Sequence, residues 1–199
     1  MTLPLILASS SPRRRELLAA LGLTFALARP DIDETQHPGE APSAYVLRLS
    51  REKAAAVAAR TAPPALILAA DTTVILDEAV LGKPADAAEA RAMLLALRGR
   101  AHRVCTALTL AQLHAGQPAH FASAHECTTV IMRSYADDEI ERYIASGDPF
   151  DKAGGYAIQH EGFRPAAQID GSQSNVVGLP LELLRRMLAE AGYPLPGGE

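Results

Sequence analysis

A chain of 199 residues, 48% hydrophobic and 21% charged, is long enough to bury a substantial core and has the make-up of a globular protein. Its net charge of −4 argues against non-specific nucleic-acid binding. No apolar run is long enough to cross a bilayer and no charged leader precedes the first strand, so neither a membrane span nor a signal peptide is expected, and the expected location is the cytoplasm.

The apolar run Leu5, Ile6, Leu7, Ala8 predicts a buried strand. Residues 12–21 predict a helix with Ser11 as N-cap, Pro12 at the first helical position and Leu17, Leu18 and Leu21 inward. A loop over 31–42 leads to a helix from Ser43 to about Ala59, and Pro63-Pro64 ends that segment. Residues 65–76 read as a long strand or strand pair, turning at Asp77-Glu78 before Val80 and Leu81. Asp86 and Glu89 form a capping-box signature for a helix closed by Gly99. Stretches 104–110 and 119–132 alternate as antiparallel partners around Gly116. Ser134 is expected to cap a short helix with Ile140, Tyr143 and Ile144 inward. Further strands are expected at 156–159 and near 167–170, and Pro180 starts a last helix with Leu181, Leu184 and Leu188 inward. Together these elements predict an α/β fold, a mixed sheet flanked by helices. Cys105 and Cys127 lie almost symmetrically about Gly116, so a hairpin could bring them opposite each other, but a reducing compartment favours two free core cysteines.

Several residues conflict with their local pattern. Arg13, Arg14 and Arg15 stand in the first turn of a helix, where the backbone already carries partial positive charge. Cations there, beside free N–H groups, suit a bound anion such as phosphate; the other reading is a solvated basic turn. Asp71 interrupts a nearly continuous apolar run, so its carboxylate needs a cation, a metal or hydrogen-bond donors. Lys53 falls on the same helical stripe as Tyr45, Leu49 and Val57, either to snorkel or to meet a buried partner. Asp151-Lys152-Ala153-Gly154-Gly155-Tyr156 reads as a tight turn or a close approach of backbone to a ligand.

Ala8-Ser9-Ser10-Ser11-Pro12-Arg13-Arg14, Ala70-Asp71-Thr72, Gly82-Lys83-Pro84, the string from Asp151 to Gln159, and Asn175-Val176-Val177-Gly178-Leu179-Pro180 form an ordered set. In this set the chain resembles the Maf-like nucleotide pyrophosphatases, from about Leu5 to Leu184. It is most similar to the branch acting on dTTP and UTP, which carries a Lys-Ala-Gly-x-Tyr-x-Ile-Gln string and a Val-Val-Gly-Leu-Pro ending. The chain departs from the family pattern at Gln173, where an aromatic residue is common, at His160, where glycine is common, and in the polar stretch 161–168.

The resemblance implies one domain over 1–199, with an elongated, curved mixed sheet and two lobes around a cleft, similar to the inosine triphosphate pyrophosphatase architecture. It also implies hydrolysis of a nucleoside triphosphate to the monophosphate and diphosphate with a divalent metal, Mg²⁺ or Mn²⁺. Asp71 matches the family's proton acceptor, and Arg13, Thr72 and Gln159 match positions linked to substrate preference. Ser9, Arg14, Glu34, Lys53 and Lys83 match polar residues of the cleft. Chemically, Asp71 and Glu34 suit a metal bridging phosphate oxygens, and Gln159 offers a donor and an acceptor to thymine or uracil. The expected partner is the triphosphate substrate, with neither nucleic acid nor membrane, and a homodimer is left open. Alternatives are the same chemistry on 7-methyl-GTP or a modified pyrimidine nucleotide, and regulation of septum formation by protein binding. Nucleotide binding without catalysis is hard to reconcile with Asp71, Lys53 and Lys83 together.

Overall fold

The computed structural model describes residues 3–196. Its strands are β1 (Leu5–Ala8), β2 (Ala26–Ala28), β3 (Ala65–Leu76), β4 (Ala79–Leu81), β5 (Ala101–Leu113), β6 (His120–Met132) and β7 (Ala166–Asp170). Its helices are α1 (Pro12–Ala20), α2 (Pro42–Ala58), α3 (Ala87–Leu97), α4 (Asp137–Ala145), α5 (Gln173–Val177) and α6 (Leu181–Glu190). Hydrogen bonding orders the strands β2-β1-β3-β5-β6-β7, with β4 paired to β3. β1 runs parallel to both β2 and β3, whereas β4 and β7 are antiparallel to β3 and β6, so the sheet is mixed as expected.

The chain divides into two compact units. The first takes 1–71, 106–126 and 178–199. Here alternation along the strands sorts the core into two layers. Leu66, Leu68 and Ala70 of β3 join Leu5 and Leu7 of β1 in packing on Leu18 of α1 and on Leu184 and Leu188 of α6. Ala65, Ile67 and Ala69 face the other way, onto Ala54 and Val57 of α2. The second unit takes 72–105 and 127–177, and its core gathers Val74 and Leu76, α3, Val130 and Met132 around Tyr143, Tyr156 and Phe163.

Side-chain caps explain where α1 and α3 begin. The Ser11 hydroxyl accepts the Arg14 N–H at the start of α1, and the Asp86 carboxylate accepts the Glu89 N–H at the start of α3. Three expectations are corrected, and two elements are added. Ala136, not Ser134, is the N-cap of α4; the Glu139 carboxylate takes the Ala136 N–H at 2.8 Å, so a side chain from inside the first turn supplies the cap. Residues 156–159 are not a strand, because Gly154 and Gly155 take left-handed φ of +69° and +66° and the Ala157 N–H donates to the Tyr143 hydroxyl instead of a neighbouring strand. The helix α5 and the short strand β2 were not foreseen. Finally, Cys105 of β5 and Cys127 of the neighbouring β6 form a disulfide, with Cα atoms 4.1 Å apart.

Candidate active site

Strand alternation delivers Asp71 to its partner. Ala65, Ile67 and Ala69 pack on α2, and the next residue on that face is Asp71, at the point where α2 presents Lys53 instead of an alanine or valine. Lys53 Nζ lies 2.6 Å from Asp71 Oδ1, and both side chains are almost fully buried, at 7% and 8% exposure. The same Nζ reaches Glu34 Oε1 at 2.9 Å, so two carboxylates converge on one ammonium. Burial pushes the Asp71 carboxyl above its ordinary range, against the opposing pull of Lys53 and Arg14.

Arg14 completes this set from the other side of β3. Its Nη1 donates to the Ala70 carbonyl at 2.8 Å and its Nε to the Gly178 carbonyl at 2.9 Å. Burial draws its guanidinium below the ordinary value, while Asp71 and Glu34 act in the opposite sense. Two family-like segments, 8–14 and 175–180, therefore meet at Arg14. Ser9 is buried, and its hydroxyl accepts the Ser11 N–H at 3.1 Å, which shapes the turn from β1 into α1. Arg13 is half-buried in the same first helical turn. The first unit thus brings together Ser9, Arg13, Arg14, Glu34, Lys53 and Asp71.

Thr72, Lys83 and Gln159 belong to the second unit. Thr72 follows Asp71 directly and is half-buried, whereas Lys83 and Gln159 are exposed. The Gly154 N–H donates to the Gly82 carbonyl at 2.9 Å, which docks the segment leading to Gln159 onto the turn bearing Lys83. A side chain at Gly154 would bring its Cβ to 3.1 Å from the Val74 methyls, so glycine is needed for space as well as for φ. Lys152 resolves as the holder of a tight turn: its Nζ donates to the Asp148 carbonyl at 2.6 Å and pairs with Asp148 at 2.9 Å and Asp151 at 2.6 Å. Below this segment the Tyr156 hydroxyl hydrogen-bonds His102 Nε2 at 2.6 Å. Burial holds His102 down at about 4. Neither Tyr45 nor Arg48, which touch the Glu34 loop from α2, was singled out from the sequence for that role; their partners are loop carbonyls, which leave no pattern.

Among the described residues no helix is long and apolar enough to cross a membrane. The chain is 52% identical over 192 residues to the dTTP/UTP pyrophosphatase of Myxococcus xanthus strain DK1622, covering 96% of this chain and 94% of that relative. It is 46% identical over 191 residues to a protein of the same name from Symbiobacterium thermophilum, covering 96% and 95% of the two chains. Among solved structures it is similar to a HAM1 protein from Coxiella burnetii, with a TM-score of 0.53 at 20% identity over 94% of this chain and 99% of that one, a likeness of fold. The model of the Maf-like protein family matches residues 4–191, nearly the whole length, and the chain belongs to that family.

Proposed function

We propose that the chain hydrolyses dTTP and UTP at the α–β anhydride, releasing dTMP or UMP and pyrophosphate. The names of the similar proteins support the substrates. The observation that carries the chemistry is the buried Asp71 carboxylate, held 2.6 Å from Lys53, with Arg14 bonded to the preceding carbonyl. A triphosphate carries about four negative charges at neutral pH, and its cleavage gains chiefly from positioning and charge neutralisation. Arg13 and Arg14 place cations in the first turn of α1, at the positive end of the helix, where Ser11 already accepts the Arg14 N–H. Asp71 accepts the proton of the attacking water as that oxygen bonds to phosphorus; the anhydride P–O bond breaks and the diphosphate leaves with its electron pair. A carboxyl held above its ordinary range is the better proton acceptor for this task.

For the cofactor we propose a divalent cation, Mg²⁺ or Mn²⁺. Asp71 and Glu34 fit it, because they already stabilise a cation at one point, 2.6 and 2.9 Å from each. With two carboxylates, the other positions of such an ion would be left to waters and phosphate oxygens. When bound, it would supply charge neutralisation on the phosphate oxygens. From the family resemblance we assign Lys83 a role as a further cation toward the substrate, and Gln159, Thr72 and Arg13 each a role in base preference. We place this activity in the cytoplasm, where nucleoside triphosphates are supplied and where the Cys105–Cys127 bond would meet reducing conditions.

The test is a panel of nucleoside triphosphates, 7-methyl-GTP included, incubated with Mg²⁺ or Mn²⁺ while nucleotide and phosphate products are separated. Monophosphate and pyrophosphate should appear together from dTTP and UTP. Stepwise orthophosphate release through the diphosphate would overturn the proposed reaction.

A further inference from the structure

Glu34 is badly placed to hold its own position. It lies in a segment without helix or strand, and its side chain is 51% exposed, yet its carboxylate meets a buried ammonium. Ordering such a segment costs roughly 1–2 kcal/mol per residue, so something else must fix it. The fixing groups lie on α2, the helix that also carries Lys53. The Tyr45 hydroxyl donates to the Glu34 carbonyl at 2.9 Å, and Arg48 Nη2 donates to the carbonyl of the next residue, Thr35, at 3.0 Å. Arg48 is itself locked by a two-pronged bond to Glu40, Nε to Oε1 at 2.7 Å and Nη2 to Oε2 at 2.8 Å. Glu40 in turn accepts the His37 N–H at 3.1 Å, so the far end of the loop is tied to the same guanidinium. The Arg48 and Glu40 side chains are only 19% and 10% exposed, which separates this pair from an ordinary surface bridge.

We propose that Tyr45 and Arg48 are positioning residues that hold the Glu34 carboxylate at the Lys53–Asp71 pair, and so set the affinity of the site for its divalent cation. This rests on the reading of Glu34 as a metal-binding carboxylate given above. The two donors grip the carbonyls of successive peptide units, one on each side of Thr35, and both come from the helix bearing Lys53. Carboxylate and ammonium are therefore referred to a single rigid element. A tyrosine hydroxyl and a forked guanidinium are suited to this because each bonds at a fixed direction.

The experiment compares Tyr45→Phe, Arg48→Lys and Glu34→Gln, alone and with Tyr45→Phe combined with Glu34→Gln. Mn²⁺ binding is followed by electron paramagnetic resonance in the presence of α,β-methylene UTP, whose α–β bridge cannot be hydrolysed, and kcat and KM are measured on UTP at graded Mn²⁺. Tyr45→Phe should weaken Mn²⁺ binding about fivefold, the worth of one hydrogen bond, and leave kcat at saturating Mn²⁺ within about twofold. Arg48→Lys keeps the charge but loses the fork, and should weaken Mn²⁺ binding by a similar factor. In the Glu34→Gln background, Tyr45→Phe should have no further effect, which a merely structural tyrosine would not obey. Unaltered Mn²⁺ binding in Tyr45→Phe, with Glu34→Gln impaired, would overturn the positioning role alone. Unaltered Mn²⁺ binding in Glu34→Gln would overturn the metal-binding reading of Glu34 and the positioning proposal with it.

Discussion

Replacing Asp71 by Asn separates catalysis from structure because the structure assigns a cost to each. The substitution keeps the size of the side chain but removes the charge facing Lys53, whose side chain is 7% exposed. Stranding one member of a buried pair costs about 3–5 kcal/mol, but Glu34 remains 2.9 Å from the same Nζ, so about 2–3 kcal/mol is expected. In a chain of this size each kcal/mol moves the melting temperature by about 2–4 °C, which gives a drop of roughly 5–10 °C. An unpartnered carboxylate would give the opposite sign, since losing a buried lone charge is stabilising. Turnover should fall at least about a hundredfold, the low end for losing a general base. The assay is pyrophosphate release from dTTP at saturating metal, beside calorimetric melting of the same preparation. A Lys53→Met change in the Asp71→Asn background should recover part of the lost stability and none of the activity, because it removes a buried ammonium left with only the half-exposed Glu34 carboxylate. An Asp71→Asn protein that melts early yet turns over normally would refute the proton-acceptor role.

Three further outcomes follow from the same geometry. Because burial raises the Asp71 carboxyl, kcat/KM should lose activity on acidification at a pH above the ordinary aspartate value of about 3.9; an acid limb at or below that value would count against it. Gln159→Ala should lower the preference for dTTP and UTP over other triphosphates by about ten- to a hundredfold, the worth of a bidentate base contact, and an unchanged preference would move base choice to Thr72 or the loop 171–175. His102, neutral in the fold at about 4 against 6.5 unfolded, binds its proton earlier in the unfolded chain. Stability should therefore decline as pH falls from 6.5 towards 4, by up to about 3 kcal/mol, and a His102→Gln protein melted over that range should show a flatter profile.

Much of the site was legible because its residues break a local rule. Asp71 inside an apolar strand, Lys53 on an apolar helical stripe and arginines at a helix start each conflict with the pattern around them. The structure places Asp71 and Lys53 on each other and Arg14 on the carbonyl before Asp71. What escaped the sequence depends on contacts that leave no pattern. Tyr45 passes for one more member of the stripe, yet its hydroxyl finds a loop carbonyl. The apparent strand at 156–159 follows two left-handed glycines, and its backbone is satisfied by a tyrosine from α4. The short strand β2 has two of its three residues exposed, so no buried face sets its period. The Cys105–Cys127 bond is a matter of register, which spacing alone leaves open.

That bond has a consequence for how the chain can be cut. The turn between β5 and β6 exposes residues 114–118 to solvent, the kind of tip at which proteases nick a folded chain. The disulfide spans this turn, with Cys105 on one strand and Cys127 on the other. A protein cleaved once there remains a single covalent molecule, migrating intact until a thiol is added and then falling into two fragments. The two fragments are held in register by the strands on either side of the cut, so the nicked molecule also offers a natural opening for new chain termini.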